Sequence, residues 1–294
     1  MVLSPTQLTE LANEAMDAAV QAGELIASYT DKTVIIKHKI GGDSVASQVV
    51  TEVDLKSEAI IVKALKPTCK KYDLALLTEE TEDDKSRLDK NYYWCVDPMD
   101  GTLAFTESTP GYAVSIALVA KTGEPVIGVV YDPSTTTLYS SVKNQGALRD
   151  RKPWAPDNKL IQNKPLTLVC DRGFTKKSYY GKLCETLESI MSKHSYTGLQ
   201  IIEKNGAVLN ACFVLENSPA IYFKLPKPEQ GGGSLWDFAA TAAIFIELGF
   251  IATDFYGEPL ELNRTDSTYM NHRGVMFSMD PRLAVEAQEL LKLL

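Results

Sequence analysis

The sequence predicts a mixed α/β (α+β) fold, and three observations carry that expectation. Leu8, Leu11, Ala12, Ala15, Ala19, Ala22, Leu25 and Ile26 recur at helical spacing. Residues 112–148 read as strands separated by the turn signals Lys121-Thr122-Gly123-Glu124-Pro125 and Asp132-Pro133-Ser134, the pattern of an antiparallel meander. Beyond residue 165, apolar strand-like and helix-like segments alternate. With 294 residues and 45% hydrophobic content, the chain can bury one large core or two intimately packed ones.

Ser4 is a good N-cap and Pro5 suits a first helical turn. After the β-branched run Thr33-Val34-Ile35-Ile36, a Gly/Ser-containing loop at 41–48 leads into Val49-Val50-Thr51-Glu52-Val53-Asp54. A second helix is expected through Leu65, stopping before Pro67. Two apolar segments, 74–77 and 92–96, are each followed by acids, Glu79-Glu80 and Asp97, and carboxylates at the ends of neighbouring strands can converge. The charged stretch 81–90 reads as solvated surface. Residues 150–164, rich in Lys, Pro, Asp and Asn, form the best boundary between halves.

The second half reads as a strand near 166–170, a helix within 177–193, a strand near 199–203, a helix at 207–215 and a strand at 220–224. Gly231-Gly232-Gly233-Ser234 then precedes an apolar helix over 235–248, with Gly249 placed to cap its C-terminus. No internal repeat or low-complexity tract is evident.

Composition narrows the function. A formal net charge of -8 argues against a nucleic acid polymer held on a broad basic face, yet leaves room for a small phosphorylated substrate if a metal supplies local positive charge. No apolar run approaches a membrane span and the N-terminus lacks a signal-peptide pattern, so the expected compartment is cytoplasmic. The five cysteines lack a C-x-x-C pair, which suggests neither a disulfide framework nor a thiolate zinc site. His38, His194 and His272 are scattered and read as structural.

The most informative segment is Asp97-Pro98-Met99-Asp100-Gly101-Thr102, directly after Tyr92-Tyr93-Trp94-Cys95-Val96. Two carboxylates at the end of a buried strand, followed by Gly and a hydroxyl, can hold a hard cation beside an anion. Asp-Pro and Asp-Gly are also ordinary turn dipeptides. Asp237, three residues after the N-cap Ser234, has a sufficient structural explanation at the positive end of a helix. Order shifts the balance: Thr51-Glu52-Val53-Asp54, then Thr78-Glu79-Glu80, then 97–102, then Trp236-Asp237-Phe238-Ala239-Ala240.

This series closely resembles the inositol monophosphatase superfamily of magnesium-dependent, lithium-sensitive phosphatases, which includes the 3'(2'),5'-bisphosphate nucleotidases. The likeness extends to Gly128-Val129-Val130-Tyr131 and Val208-Leu209-Asn210. It implies a layered αβαβα sandwich with an antiparallel sheet in an N-terminal half, 1–152, carrying most metal ligands. A mixed C-terminal half, 153–294, would contribute Asp237 and substrate contacts, and a homodimer is common in the family. Glu79, Asp97 and the Met99 carbonyl would bind one Mg²⁺, with Asp97, Asp100 and Asp237 binding a second. Two or three ions are implied, and Mn²⁺ is a possible substitute. Asp54 and Thr102 would orient and deprotonate the attacking water with Glu79 assisting, while the Gly101 and Thr102 amides hold phosphate oxygens. All proposed ligands are oxygen, as Mg²⁺ and Mn²⁺ favour.

The substrate contacts implied are Gly101, Thr102, Ala207, Gln230 and Asp237. Ala104 stands where an acid or amide is common in the family. The nucleotidases tend to carry a lysine at the position of Asn210, and an acid that contacts inositol hydroxyls aligns near Gln230, beside Glu229. The expected activity is Mg²⁺-dependent phosphomonoester hydrolysis, with an inositol monophosphate-like substrate ahead of 3'-phosphoadenosine 5'-phosphate. The rival from another class is a non-catalytic metal- or phosphate-binding regulatory protein.

Overall fold

The computed structural model describes residues 2–30, 32, 34–38, 49–157 and 164–293. The expected loop at 41–48 and part of the expected boundary, 158–163, lie outside these. In chain order the elements are α1 (Pro5–Ala27), β1 (Ile36–His38), β2 (Val49–Thr51), α2 (Glu52–Tyr72), β3 (Ala75–Thr78), β4 (Tyr92–Asp100), α3 (Thr102–Thr106), β5 (Ala113–Ala120), β6 (Pro125–Asp132), β7 (Thr137–Val142), β8 (Gly146–Arg149) and β9 (Lys152–Pro153). There follow β10 (Leu166–Val169), α4 (Tyr180–His194), β11 (Leu199–Ile202), α5 (Ala207–Glu216), β12 (Ala220–Lys224), α6 (Leu235–Glu247), β13 (Ile251–Thr253), β14 (Val275–Ser278) and α7 (Pro281–Ala287).

A seven-stranded sheet runs in chain order from β3 to β9, and a five-stranded sheet has the order β11-β10-β12-β14-β13. Period-2 alternation sends the two sides of each strand to different cores. On β4, Trp94 and Val96 share a core with residues of α1 and α2, whereas Tyr93 and Cys95 share one with residues of α5 and α6. On β12, Ile221 and Phe223 join the outer core with α4 and α7, while Tyr222 faces the middle layer. The result is the expected five-layer αβαβα stack. Gly128 on β6 permits the central approach: a Cβ there would lie 2.2 Å from the Ala240 carbonyl of α6.

Pairing is antiparallel from β4 to β9 and parallel between β3 and β4. The connection at 79–91 is long enough for the crossover that parallel strands require. Both strands therefore end on the same side.

Two expectations need correction. Helix α2 does not stop before Pro67 but continues to Tyr72. Its buried positions Ile61, Leu65, Thr68 and Tyr72 keep helical spacing through the proline, so packing outweighs the one hydrogen bond Pro67 cannot make. Thr68 also accepts from Trp94 Nε1 at 2.9 Å. The stretch 81–90 is not wholly solvated: Arg87 is 1% exposed, its guanidinium bonding Asp83 Oδ2 at 2.9 Å, Asn263 Oδ1 at 2.7 Å and the Arg264 carbonyl at 2.8 Å.

Candidate metal centre

The parallel pairing sets Thr78 opposite Val96, and the Glu79 amide donates to the Val96 carbonyl at 3.1 Å. Glu79 therefore emerges beside Asp97. The β4–β5 register then shifts between Asp97 and Asp100, an irregularity that re-aims side chains at a strand end. One carboxylate oxygen each from Asp97, Asp100 and Asp237 lie within 4.8 Å of one another.

Three of the helices that begin at this point have an aspartate in the first turn or against it. Asp54 closes a capping box at α2: its Oδ2 accepts from Thr51 N at 2.7 Å and Thr51 Oγ1 at 2.6 Å. Asp237 does the same at α6, where Oδ2 accepts from Ser234 N at 2.5 Å. Asp100 reaches across from β4 to the start of α5, accepting from Ala207 N at 3.2 Å and Val208 N at 2.7 Å. The positive ends of three helix dipoles thus face the carboxylates. Gly206 allows the Asp100 contact, because a Cβ there would lie 2.3 Å from Asp100 Oδ2.

The free oxygen of Asp54 has a distinct task. Thr102 Oγ1 lies 2.9 Å from Asp54 Oδ1 and 3.1 Å from the Met99 carbonyl, and its single proton can serve one of them. The turn carrying Met99 is held from two sides, by Met99 N donating to Asp97 Oδ1 at 3.0 Å and by Ser57 Oγ donating to the Pro98 carbonyl at 2.7 Å. Glu58 holds the next segment: Glu80 N donates to its Oε2 at 3.0 Å and Thr81 Oγ1 to its Oε1 at 2.5 Å.

Burial raises the pKa of Asp97 well above the usual carboxylate range, and the charges of Glu79, Asp100 and Asp237 add to it. Burial does the same for Asp100, with Asp237 the next cause. Asp237 is pushed up to about 6 by burial, with Lys224 opposing. Asp54 also rises to about 6 through burial, against the hydrogen bonds from Thr51 and Thr102. Burial lowers Lys224, but Asp171, Asp237 and Asp100 outweigh it and leave this lysine above its ordinary value. Carboxylates this close in a low-dielectric site repel one another, and an all-oxygen donor set of this charge fits a hard divalent cation.

Of the residues the sequence nominates, Asp54, Glu79, Asp97, Met99, Asp100, Gly101, Thr102 and Asp237 gather here. The Ala207 amide, an expected substrate contact, is spent on Asp100. Gln230 is exposed in the loop before α6. Sequence reasoning missed Ser57 and Glu58, although both fall on the helical face of Asp54 at spacings of three and four. It also missed Lys224, a cation ending the apolar strand β12. His194 and His272 pair with Glu286 and Glu261 at 2.9 and 2.5 Å, and the five cysteines are free thiols.

The family model described as the inositol monophosphatase family matches residues 7–292. The chain belongs to the inositol monophosphatase family. Its members are phosphatases that act on small phosphorylated substrates and are generally metal-dependent. The chain is 30% identical to an inositol-1-monophosphatase of Synechocystis sp., covering 89% of this chain and 85% of that one. It is 31% identical to the Nus factor SuhB of Haemophilus influenzae, covering 84% and 86%. It is 29% identical to the 3'(2'),5'-bisphosphate nucleotidase CysQ of Shigella flexneri, covering 74% and 81%. The fold matches the Thermotoga maritima IMPase with a TM-score of 0.72 at 20% identity, over 96% of this chain and 98% of that one. Among the described residues, no helix is long and apolar enough to cross a membrane.

Proposed function

We propose that this chain hydrolyses a phosphate monoester of a small metabolite with Mg²⁺, or Mn²⁺ in its place, held by Glu79, Asp97, the Met99 carbonyl, Asp100 and Asp237. The observation that carries the proposal is the approach of Asp97, Asp100 and Asp237 oxygens to within 4.8 Å. When bound, such cations neutralise the phosphoryl oxygens, lower the pKa of a water and stabilise a leaving alkoxide.

The chain's own groups do the rest. Thr102 and Asp54 form a hydroxyl–carboxylate pair suited to orienting a water, and Asp54, with its pKa near 6, can accept a proton close to neutral pH. The Gly101 and Thr102 amides open α3 and can take phosphate oxygens. The surrounding helix N-termini favour a bound anion, and Lys224 adds positive charge beside Asp237 and Asp100.

For the substrate, the relative named inositol-1-monophosphatase favours an inositol monophosphate-like ester, and the relative named bisphosphate nucleotidase supports the second reading. Release of inorganic phosphate from a panel of esters tests the reading. It should require Mg²⁺, vanish with chelator and fall at least about 10²-fold in Asp97→Asn, as expected when a group of the reacting centre is removed. Purified protein that binds Mg²⁺ but releases no phosphate from any ester would support the regulatory alternative instead.

A further inference from the structure

Ser115 is buried on β5 where the strand passes the start of α6, and its hydroxyl donates to the Trp236 carbonyl at 3.0 Å. Trp236 directly precedes Asp237. In the β4–β5 register Ser115 lies opposite Asp97. Directly opposed residues of an antiparallel pair share a face, with Cβ atoms about 4.5–5.5 Å apart. One buried hydroxyl thus borders two proposed ligands from distant segments of the chain.

Alternation fixes the face. Val96 and Ile116 share a core with residues of α1 and α2, whereas Cys95, Ala113 and Ala117 share one with Leu235, Phe238 and Ala239 of α6. By the period of two, Ser115 belongs to the row of Ala113 and Ala117. The bland account is that a buried serine takes the nearest carbonyl. Yet its neighbours in that row are alanines, so an alanine would fit at 115 and leave no hydroxyl to desolvate. Nor does the carbonyl require a serine, because within α6 it faces the amide four residues on, and a carbonyl has two lone pairs.

What the bond supplies is register. Apolar packing resists separation of α6 from the sheet but is non-directional. A hydrogen bond is directional and specifies how far along its axis the helix sits. Leu235 N donates to the Thr268 carbonyl at 2.9 Å and Met270 N to the Gly233 carbonyl at 3.0 Å, which tie the start of α6 to the 268–270 segment. The Ser115 bond ties it instead to the sheet that carries Asp97 and Asp100. Asp237 has one oxygen bound to the Ser234 amide, so its side chain travels with the helix.

We infer that Ser115 is a positioning residue: it sets the spacing of Asp237 from Asp97 and so maintains the cation site shared by Asp97, Asp100 and Asp237, without acting on the site at Glu79 and the Met99 carbonyl. This rests on the metal-dependent phosphomonoesterase reading above.

Titration of the full chain with Mn²⁺ alone, followed by electron paramagnetic resonance, tests this without turnover. Two Mn²⁺ sharing a carboxylate give an exchange-coupled spectrum, whereas an isolated ion gives the uncoupled hyperfine pattern. Wild type should pass from the second to the first as Mn²⁺ rises. Ser115→Ala should take the first ion unchanged and the second about fivefold or more weakly, delaying the coupled spectrum. Ser115→Thr, which keeps the hydroxyl on a strand that favours β-branched residues, should restore the wild-type titration. Phosphate release by Ser115→Ala should recover once Mn²⁺ is raised enough to restore the coupled spectrum. A Ser115→Ala protein that takes up both ions like wild type, or loses both equally, overturns the inference and leaves the phosphatase reading standing. A wild type with no coupled spectrum at any Mn²⁺ concentration also overturns it, and if the ester panel releases no phosphate either, the phosphatase reading falls with it.

Discussion

Ser57 Oγ donates a 2.7 Å hydrogen bond to the Pro98 carbonyl, joining the middle of the second turn of α2 to the segment between Asp97 and Asp100. Asp54, Ser57 and Glu58 share one face of that helix, and they grip Thr102, the Pro98 carbonyl, and the Glu80 amide with the Thr81 hydroxyl respectively. One rigid helix therefore sets the relative positions of three chain segments that are distant in sequence. Ser57→Ala should cost about 1–2 kcal/mol, since a buried carbonyl loses its donor. It should also raise the Mg²⁺ concentration for half-maximal activity several-fold. Denaturant unfolding and a Mg²⁺ titration would check both, and an unchanged titration would mean that the Pro98 contact does not place Met99.

Asparagine and alanine should separate the two duties of Asp237. Asp237→Asn keeps an oxygen for the Ser234 amide, so it should hold the fold and lose phosphate release. Asp237→Ala should also lose phosphate release and be about 1 kcal/mol less stable than Asp237→Asn because the cap is missing. Comparing the two by thermal unfolding is the measurement.

Gly206→Ala isolates a steric effect. The backbone at Gly206, φ -67 and ψ 172, suits alanine, but the new Cβ would meet Asp100 Oδ2. We expect a loss of about 1–3 kcal/mol and a fall in turnover on the order of 10²-fold, as Asp100 is pushed from the α5 amides. Near-wild-type kinetics would show that Asp100 can move without consequence.

The metal-free protein should become less stable as pH rises from about 4 toward 7. Asp54 and Asp237 have folded pKa values of about 6 against ordinary values of 3.8, so between those limits the native state holds more protons than the unfolded chain. Each group's folded anion is disfavoured, and the cost is complete once pH passes the folded pKa. Mg²⁺ would replace the proton on Asp237, so its stabilising effect should grow over the same window. Melting temperatures across this range, in chelator and in Mg²⁺, would show it; a Mg²⁺ shift independent of pH would contradict the assignment of these carboxylates.

Local signals were readable where one segment decides its own structure. Ser4 and Pro5 open α1 as expected, and the glycine run with Ser234 opens α6. The ordered acids were also legible because each follows an apolar strand or a cap. Features resting on distant partners were not. Nothing near Pro67 announces that α2 packs through it, and Arg87 is buried by contacts with Asn263 and Arg264 from the other end of the chain. Lys224 gains its meaning from Asp171, fifty-odd residues earlier, and no spacing rule joins them. No elements are assigned from sequence over 250–294, although Asp280 and Pro281 carry the cap and first-turn signal of α7.

Asp54 and Asp237 each start a helix with one oxygen, and Asp100 holds the start of another. A descendant that abandoned chemistry would still be under pressure to keep all three, because its architecture depends on them. Their survival in a divergent relative is therefore an ambiguous inheritance. Glu79, which follows a strand and opens no helix, is the proposed ligand with no helix to hold once turnover no longer matters, and its retention is the better sign of a working phosphatase.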